Sequence, residues 1–360
     1  MLGPSEFREL VSGRRRGPVS AIARAALRVL EVPYTAAVRL RNFRYDSVRA
    51  EVIRVPVPVI SVGNLTLGGT GKTPTVEWLA RWFSQRNVRV GLVSRGYGVK
   101  QDGSKQGHAN DEALELAQKL PDVPHVLDPD RVRGARQAIE QFGCQLVLLD
   151  DGFQHRRIAR DLDIVLVDAL EPFGFGHVFP RGTLREPLAG WSRAQVIVLT
   201  RAELATDDQR ASIRQQVRKY APTAIWVEAT HAPKWLQSPT GQQQPLERLA
   251  GKPIAAFCGI GNPAGFRHAL VQCGYKLIAM REFADHFNYA AEHAAELARW
   301  ADSLHVAAVV CTAKDLVKIG PLWSADKPLV ALSGQLELLT GGKELETALA
   351  ILADRAKSGG

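Results

Sequence analysis

The sequence predicts an α/β chain: a parallel sheet clothed by helices, followed by a second, smaller α/β domain and preceded by an amphipathic helix. Three observations carry this. Apolar strand-like runs alternate with helical segments from Val57 to Thr200, the pattern of a parallel sheet covered on both faces. An apolar run, Val57 to Val62, passes through Gly63-Asn64 into a glycine-rich loop and then a helix. The stretch 232–249 (APKWLQSPTGQQQPLERL), rich in Gln, Pro and Gly, reads as a linker or an irregular hairpin, after which the alternation restarts. The expected divisions are 1–50 as a basic amphipathic segment, 51–231 as the main sheet domain, 232–252 as a linker and 253–356 as the smaller domain.

Residues 19–32 read as a helix. Ile22, Ala26, Val29 and Leu30 share one face, Arg24 and Arg28 another, and Pro33 is expected to close it. The first fifty residues hold ten arginines against four carboxylates. A basic amphipathic helix of this kind can lie in a membrane interface, held by apolar burial and anionic lipid. The competing reading is a helix packed on the protein's own core with its arginines solvated.

The main sheet begins at Val57–Val62, where Pro56 and Pro58 are tolerated at a strand start. The next helix starts at Lys72 and places Val76, Leu79, Ala80 and Phe83 at i, i+3, i+4 and i+7. Strands are expected at Val88–Ser94, Gln145–Asp150, Leu162–Asp168 and Gln195–Thr200, and helices at Asp111–Leu120 and Arg131–Phe142. In the smaller domain the expected strands are Pro253–Cys258, Tyr275–Met280, Val306–Cys311 and Pro328–Leu332.

With 360 residues, 46% of them hydrophobic and 23% charged, the chain can bury two cores. Its net charge of +9 favours anionic partners: nucleic acid, phosphorylated ligands or an acidic membrane face. No run approaches the roughly 20 apolar residues that span a bilayer. Nor is there an h-region ending in a cleavage site, so the chain is expected to stay on the cytosolic side. Cys144, Cys258, Cys273 and Cys311 show no CxxC spacing and are expected to be buried, reduced thiols.

The segment Thr66-Leu67-Gly68-Gly69-Thr70-Gly71-Lys72-Thr73 carries the strongest chemical signal. Its glycines let backbone N–H groups close around phosphate oxygens, and the helix N-terminus adds a favourable dipole. Lys72 supplies a cation for the β and γ phosphates, and Thr73 can hold Mg²⁺ through its hydroxyl. The fold expected is therefore P-loop NTPase-like, and the nucleotide ATP. Thr66 stands where GxxxxGK[ST] has its first glycine. Leu148-Leu149-Asp150-Asp151 ends an apolar strand in the Walker B pattern, with Asp150 expected on Mg²⁺ directly or through water and Asp151 expected behind the metal or touching the acceptor. Two further patterns are weaker. Gly259-Ile260-Gly261-Asn262-Pro263-Ala264 fits a loose dinucleotide fingerprint. Thr200-Arg201-Ala202-Glu203 has the spacing of a guanine-reading loop, with Arg for Lys and Glu for Asp.

Together these stretches resemble the tetraacyldisaccharide 4′-kinase family of lipid A biosynthesis. The resemblance rests on SVGNLTLGGTGKTP (61–74), SRGYG (94–98), NDEA (110–113), LDDGFQHRRIARDLDIVLVDA (149–169), FPRGTLREP (179–187), DHFNY (285–289) and TAKD (312–315). It covers nearly the whole chain. Ala313 stands where the family's last motif usually has Glu. The resemblance implies a peripheral enzyme on the cytoplasmic face of a bacterial inner membrane. It would transfer phosphate from ATP, with Mg²⁺, to the 4′-hydroxyl of an acylated glucosamine disaccharide 1-phosphate, giving lipid IVA and ADP. It implies Asp111 as the base, His286 as its support from the second domain, Lys72 and Thr73 as phosphate and metal ligands, and Asp150 and Asp151 as Walker B carboxylates. Arg131, Arg185 and Glu186 are implied contacts of substrate or site. Closure of the two domains is expected to complete the site. No nucleic-acid partner is implied.

Two rivals come from other classes. A membrane-associated switch ATPase with the deviant loop KGGxGKT would need a lysine where Leu67 stands. A guanine-nucleotide metallocentre protein would need a true NKxD loop and closely spaced Cys/His ligands.

Overall fold

The computed structural model describes residues 4–96, 113, 115–117, 119–284 and 287–358. They divide into two compact units. The first takes 4–96, 120–230 and 337–358. The second takes 231–336 with the described residues between 113 and 119.

Unit 1 opens with helices α1 (Pro4–Val11) and α2 (Pro18–Asp46), then β1 (Val59–Asn64), α3 (Lys72–Ser84), β2 (Val90–Ser94) and β3 (His125–Leu127). It continues with α4 (Arg131–Phe142), β4 (Leu146–Asp150), β5 (Leu162–Asp168), β6 (Val196–Thr200), α5 (Asp207–Arg218) and the first part of β7 (Ile225–Gln237). The strand order is β7-β6-β5-β1-β4-β2-β3, and every neighbouring pair is parallel. β1 is buried along its whole length. That is why its sequence is a continuous apolar run rather than an alternation. The predicted face of α3, Val76, Leu79, Ala80 and Phe83, is 0% exposed. Because β1 and β4 are neighbours with Val62 opposite Asp150, the glycine loop and the Walker B aspartates leave the sheet side by side.

Pro33 does not close a helix. α2 runs through it for 29 residues. An interior proline costs roughly 3 kcal/mol, but contacts on both sides of it hold the helix. Before it, Glu31 accepts from the Val178 backbone N–H and Arg181 Nη1, each at 3.1 Å. Beyond it, Tyr34 donates to the Arg185 carbonyl at 3.3 Å and Asn42 donates to Glu186 at 2.8 Å. Arg156 then reaches Asp46 at 2.6 Å. The opposite face of α2 is bare. Ile22, Val29, Leu40 and Phe43 are all more than half exposed.

Unit 2 continues β7 and adds β8 (Gln243–Pro245), β9 (Pro253–Cys258), α6 (Pro263–Gln272), β10 (Lys276–Glu282), α7 (Ala291–Asp302), β11 (Ala308–Thr312), α8 (Ala313–Ile319) and β12 (Leu329–Thr340). Of the two forms expected for the stretch 232–249, linker or irregular hairpin, the structure has the hairpin. Trp235–Gln237 of β7 pairs antiparallel with β8 across a turn at 238–242. Strands β10-β9-β11-β12 are parallel. Ala255 and Phe257 of β9 enter one core, and Ile254, Ala256 and Cys258 enter the other. This is the period-two alternation of a sheet covered on both faces. From residue 337 the chain rejoins unit 1 and ends in α9 (Gly342–Ser358), so the division drawn at 356 moves to 336.

All four cysteines are free thiols, and Cys273 alone is only half-buried. Burial pushes Cys144 up to about 11 and Cys258 up to about 12, which keeps both protonated and unreactive at neutral pH.

Candidate active site

The loop between β1 and α3 is shaped by its glycines. Gly68 has φ +115° and Gly71 has φ +83°, backbone that side-chain-bearing residues rarely adopt. The loop's entry is laced to the segment 183–185. Leu67 N–H donates to the Thr183 carbonyl at 2.7 Å, and Arg185 N–H donates to the Leu65 carbonyl at 2.6 Å. Its carbonyls are tied from β6 and the turn after it. Thr200 Oγ1 donates to the Thr70 carbonyl at 2.9 Å, and Arg201 Nη2 to the Gly69 carbonyl at 2.7 Å. Arg201 is itself paired with Asp168 at the end of β5. A loop whose carbonyls are bound outward turns its N–H groups toward a phosphate. Thr200 and Arg201, which in the sequence resemble a damaged guanine-reading loop, therefore act as struts for the phosphate loop.

At the end of β4, Asp151 takes a left-handed backbone conformation, φ +50°. Arg185 Nη1 donates to its two oxygens at 2.9 and 2.8 Å, and Lys72 Nζ lies 3.6 Å away. Burial pushes this carboxyl up, but Lys72, Arg185 and Arg131 outweigh it and hold the group below the ordinary carboxylate range. Asp150 accepts from Ser94 Oγ at 3.3 Å, and Ser94 Oγ is 2.7 Å from His125 Nε2. Arg131, the first residue of α4, is 3% exposed; it donates to the Asp128 carbonyl at 2.7 Å and the Asp150 carbonyl at 3.3 Å. Its helix begins there because Asp130 caps the Val132 N–H at 3.0 Å. His155 is pushed down to about 4, chiefly by burial and then by Arg131, Arg95 and Arg41, so it is neutral at pH 7.

Glu186 sits deeper, 2% exposed. It accepts from Arg193 Nη2 at 2.8 and 2.9 Å, Gln154 Nε2 at 3.1 Å and Asn42 Nδ2 at 2.8 Å. With its oxygens spent on protein donors, it braces α2, the 152–157 turn and the 188–193 turn against one another. Gln154 extends that brace to the Asn64 carbonyl at 3.0 Å.

The structure thus brings together Lys72, Asp150, Asp151, Arg131 and Arg185 around the loop 66–73. Asp111 and His286 lie outside the described residues. The loose dinucleotide fingerprint is closed from within. Gly259 N–H donates to buried Asp315 at 3.1 Å, and Asn262 caps α6 through the Gly265 N–H at 3.0 Å. The TAKD segment is a helix cap: Thr312 Oγ1 accepts from the Asp315 N–H at 3.3 Å and donates to its carboxylate at 2.6 Å. The sequence gives Arg193 no signal, and it shows Ser94, Gln154, Thr200 and Arg201 only as parts of motifs, because their roles depend on partners distant in the chain.

Comparison with known proteins points to one family. The profile of the family described as tetraacyldisaccharide-1-P 4′-kinase matches residues 23–353. A tetraacyldisaccharide 4′-kinase of Anaeromyxobacter dehalogenans is 39% identical over 350 residues, covering 93% of this chain and 92% of the relative. One from Geobacter metallireducens is 37% identical, covering 90% of this chain and 97% of the relative. The crystal structure of LpxK from Aquifex aeolicus in complex with ATP matches with a TM-score of 0.72 at 28% identity, covering 92% of this chain and 99% of that one. With that profile spanning most of its length and relatives this similar, the chain belongs to the tetraacyldisaccharide-1-P 4′-kinase family.

Proposed function

We infer that the chain transfers the γ-phosphate of ATP to the 4′-hydroxyl of tetraacyldisaccharide 1-phosphate, leaving ADP and lipid IVA. The observation that carries this is the cluster Lys72–Asp151–Arg185 set against the glycine loop. The acceptor oxygen forms a bond to phosphorus, the β–γ bridging bond breaks toward ADP, and the acceptor proton leaves to a base. Asp111, with His286 as its support, remains our candidate for that base. A positioned carboxylate contributes about 10²–10⁴-fold. Most of the remaining work is alignment and charge neutralisation.

Mg²⁺ fits the oxygen donors present. Among the described residues no group of three or more His, Cys, Asp and Glu could cage a metal. Mg²⁺ usually needs only one or two carboxylates plus the nucleotide's phosphates. Thr73 Oγ1 and Asp150 would supply the protein's share. Asp151, already held by two cations, would serve as a neighbour that keeps Lys72 and Arg185 in place. Bound there, the ion would neutralise charge on the β and γ phosphates. Arg131 would fix the Asp150 backbone beneath it. The switch-ATPase rival is not favoured, because Leu67 stands at its signature lysine and its N–H is committed to Thr183.

An acylated acceptor remains in the bilayer, so the enzyme must work at its surface. No helix among the described residues is long and apolar enough to cross a membrane. The bare stripe of α2 suits a helix lying in the interface of the cytoplasmic leaflet, with flanking arginines toward anionic headgroups. This arrangement calls for no nucleic-acid partner. Labelled ATP incubated with a crude lipid A precursor fraction tests the reading. Label in the chloroform-soluble phase supports it; hydrolysis of ATP without lipid labelling refutes it.

A further inference from the structure

The guanidinium of Arg8 lies against the phosphate loop, brought there by α1. Phe7 packs on Phe179 with ring centroids 5.9 Å apart, and Leu10 is 4% exposed, so the two residues flanking Arg8 on the inner face seat the helix on unit 1. Arg8 Nη2 is 3.4 Å from the Leu67 carbonyl, and its Nε is 3.8 Å from Glu171. A Cβ built on Gly68 would run into Arg8 Nη2 before any other atom. Both polar contacts are long, one to a neutral carbonyl and one to a carboxylate, so the group is placed at the rim of the loop without being locked there. Gly68 stands four residues before Lys72, on the stretch that wraps the phosphate end of the nucleotide. A glycine there leaves room for a guanidinium to pass.

We propose that Arg8 is a catalytic residue, an arginine finger supplied in cis, which moves from the Leu67 carbonyl onto the γ-phosphate and stabilises the charge developing there as the β–γ bond breaks. Arginine suits this role because its planar fork can hold two phosphate oxygens at once and stays charged. The proposal rests on the kinase reading for its acceptor, but not for its phosphate. Seating α1 then completes the nucleotide site, and the N-terminal segment becomes part of the chemistry as well as a neighbour of the membrane-facing helix.

The test uses the full chain with Arg8→Ala and Arg8→Lys. We expect kcat to fall roughly 10³-fold in Arg8→Ala, with KM for ATP and for the lipid changed less than about threefold. Arg8→Lys should recover only a small part, and added guanidinium ion should partly rescue Arg8→Ala. Independently of any lipid, wild-type protein should trap ADP with aluminium fluoride and Mg²⁺, as read by ¹⁹F NMR. Arg8→Ala should bind ADP normally and fail to trap. Phe7→Ala/Leu10→Ala, which unseats α1, should lose trapping too. If Arg8→Ala traps ADP–aluminium fluoride as wild type does, or if its loss lies in KM or thermal stability rather than kcat, Arg8 is a packing residue and the proposal falls. If trapping depends on Arg8 but no lipid is labelled by any variant, the kinase reading falls and the finger stands.

Discussion

The bare stripe of α2 gives the membrane reading a quantitative test. Ile22 and Leu40 lie eighteen residues apart on that stripe, five helical turns, and are 71% and 63% exposed. Fully burying such a side chain contributes roughly 1.5–3 kcal/mol. Scaled by exposure, each contributes about 1–2 kcal/mol to interface binding. Replacing both by glutamate removes about 3 kcal/mol and sets two carboxylates against anionic lipid, at about 1 kcal/mol each by analogy with juxtamembrane charges. The double variant Ile22→Glu/Leu40→Glu should therefore lose about 10³- to 10⁴-fold in partitioning onto vesicles containing an anionic phospholipid. Co-sedimentation at fixed ionic strength measures it. Since both side chains already face solvent, the melting temperature should hold. Asn42→Ala, on the packed face of the same helix, should do the reverse: it loses the hydrogen bond to Glu186, lowers stability by about 1 kcal/mol and leaves partitioning alone. Unchanged partitioning of the double variant, or its unfolding, would refute the assignment of faces.

Three further expectations concern the site. Glu186→Ala leaves Arg193 without its buried carboxylate and should cost about 3 kcal/mol or more in denaturant unfolding, with Glu186→Gln between it and wild type. Arg185→Met removes one of the cations that hold Asp151 below the ordinary carboxylate range. The charged cluster is intact above that range and is lost as pH falls through the depressed folded value. The acid limb of the kcat/KM profile should therefore move to higher pH in the variant; an unmoved limb would assign that limb to another group. Thr200→Val breaks the tie to the Thr70 carbonyl and should raise KM for ATP by about five- to tenfold, read by steady-state kinetics at saturating acceptor.

The parts legible in the sequence were those fixed by local constraint. The loop at 66–73 is set by glycine backbone freedom and its place between an apolar run and an amphipathic helix. Asp150 and Asp151 show as carboxylates ending an apolar strand. Pro33 misled because propensity counts only the lost hydrogen bond, whereas Glu31, Tyr34, Asn42 and Asp46 hold α2 through contacts distant in sequence. Arg201 misled for the same reason: its partners, Gly69 and Asp168, lie 132 and 33 residues away. Glu186 was legible as a residue of substrate or site only through the family resemblance, and the structure adds its bonds to Asn42, Gln154 and Arg193.

The most direct test of the account is the position of the transferred phosphate. Wild-type protein, ATP, Mg²⁺ and tetraacyldisaccharide 1-phosphate should yield one product, with fragment masses and ³¹P NMR placing the new phosphate on the 4′ oxygen of the distal glucosamine. Lys72→Ala and Asp150→Asn should fold and form none. Inorganic phosphate as the sole product, or a new phosphate on any other oxygen, would contradict it.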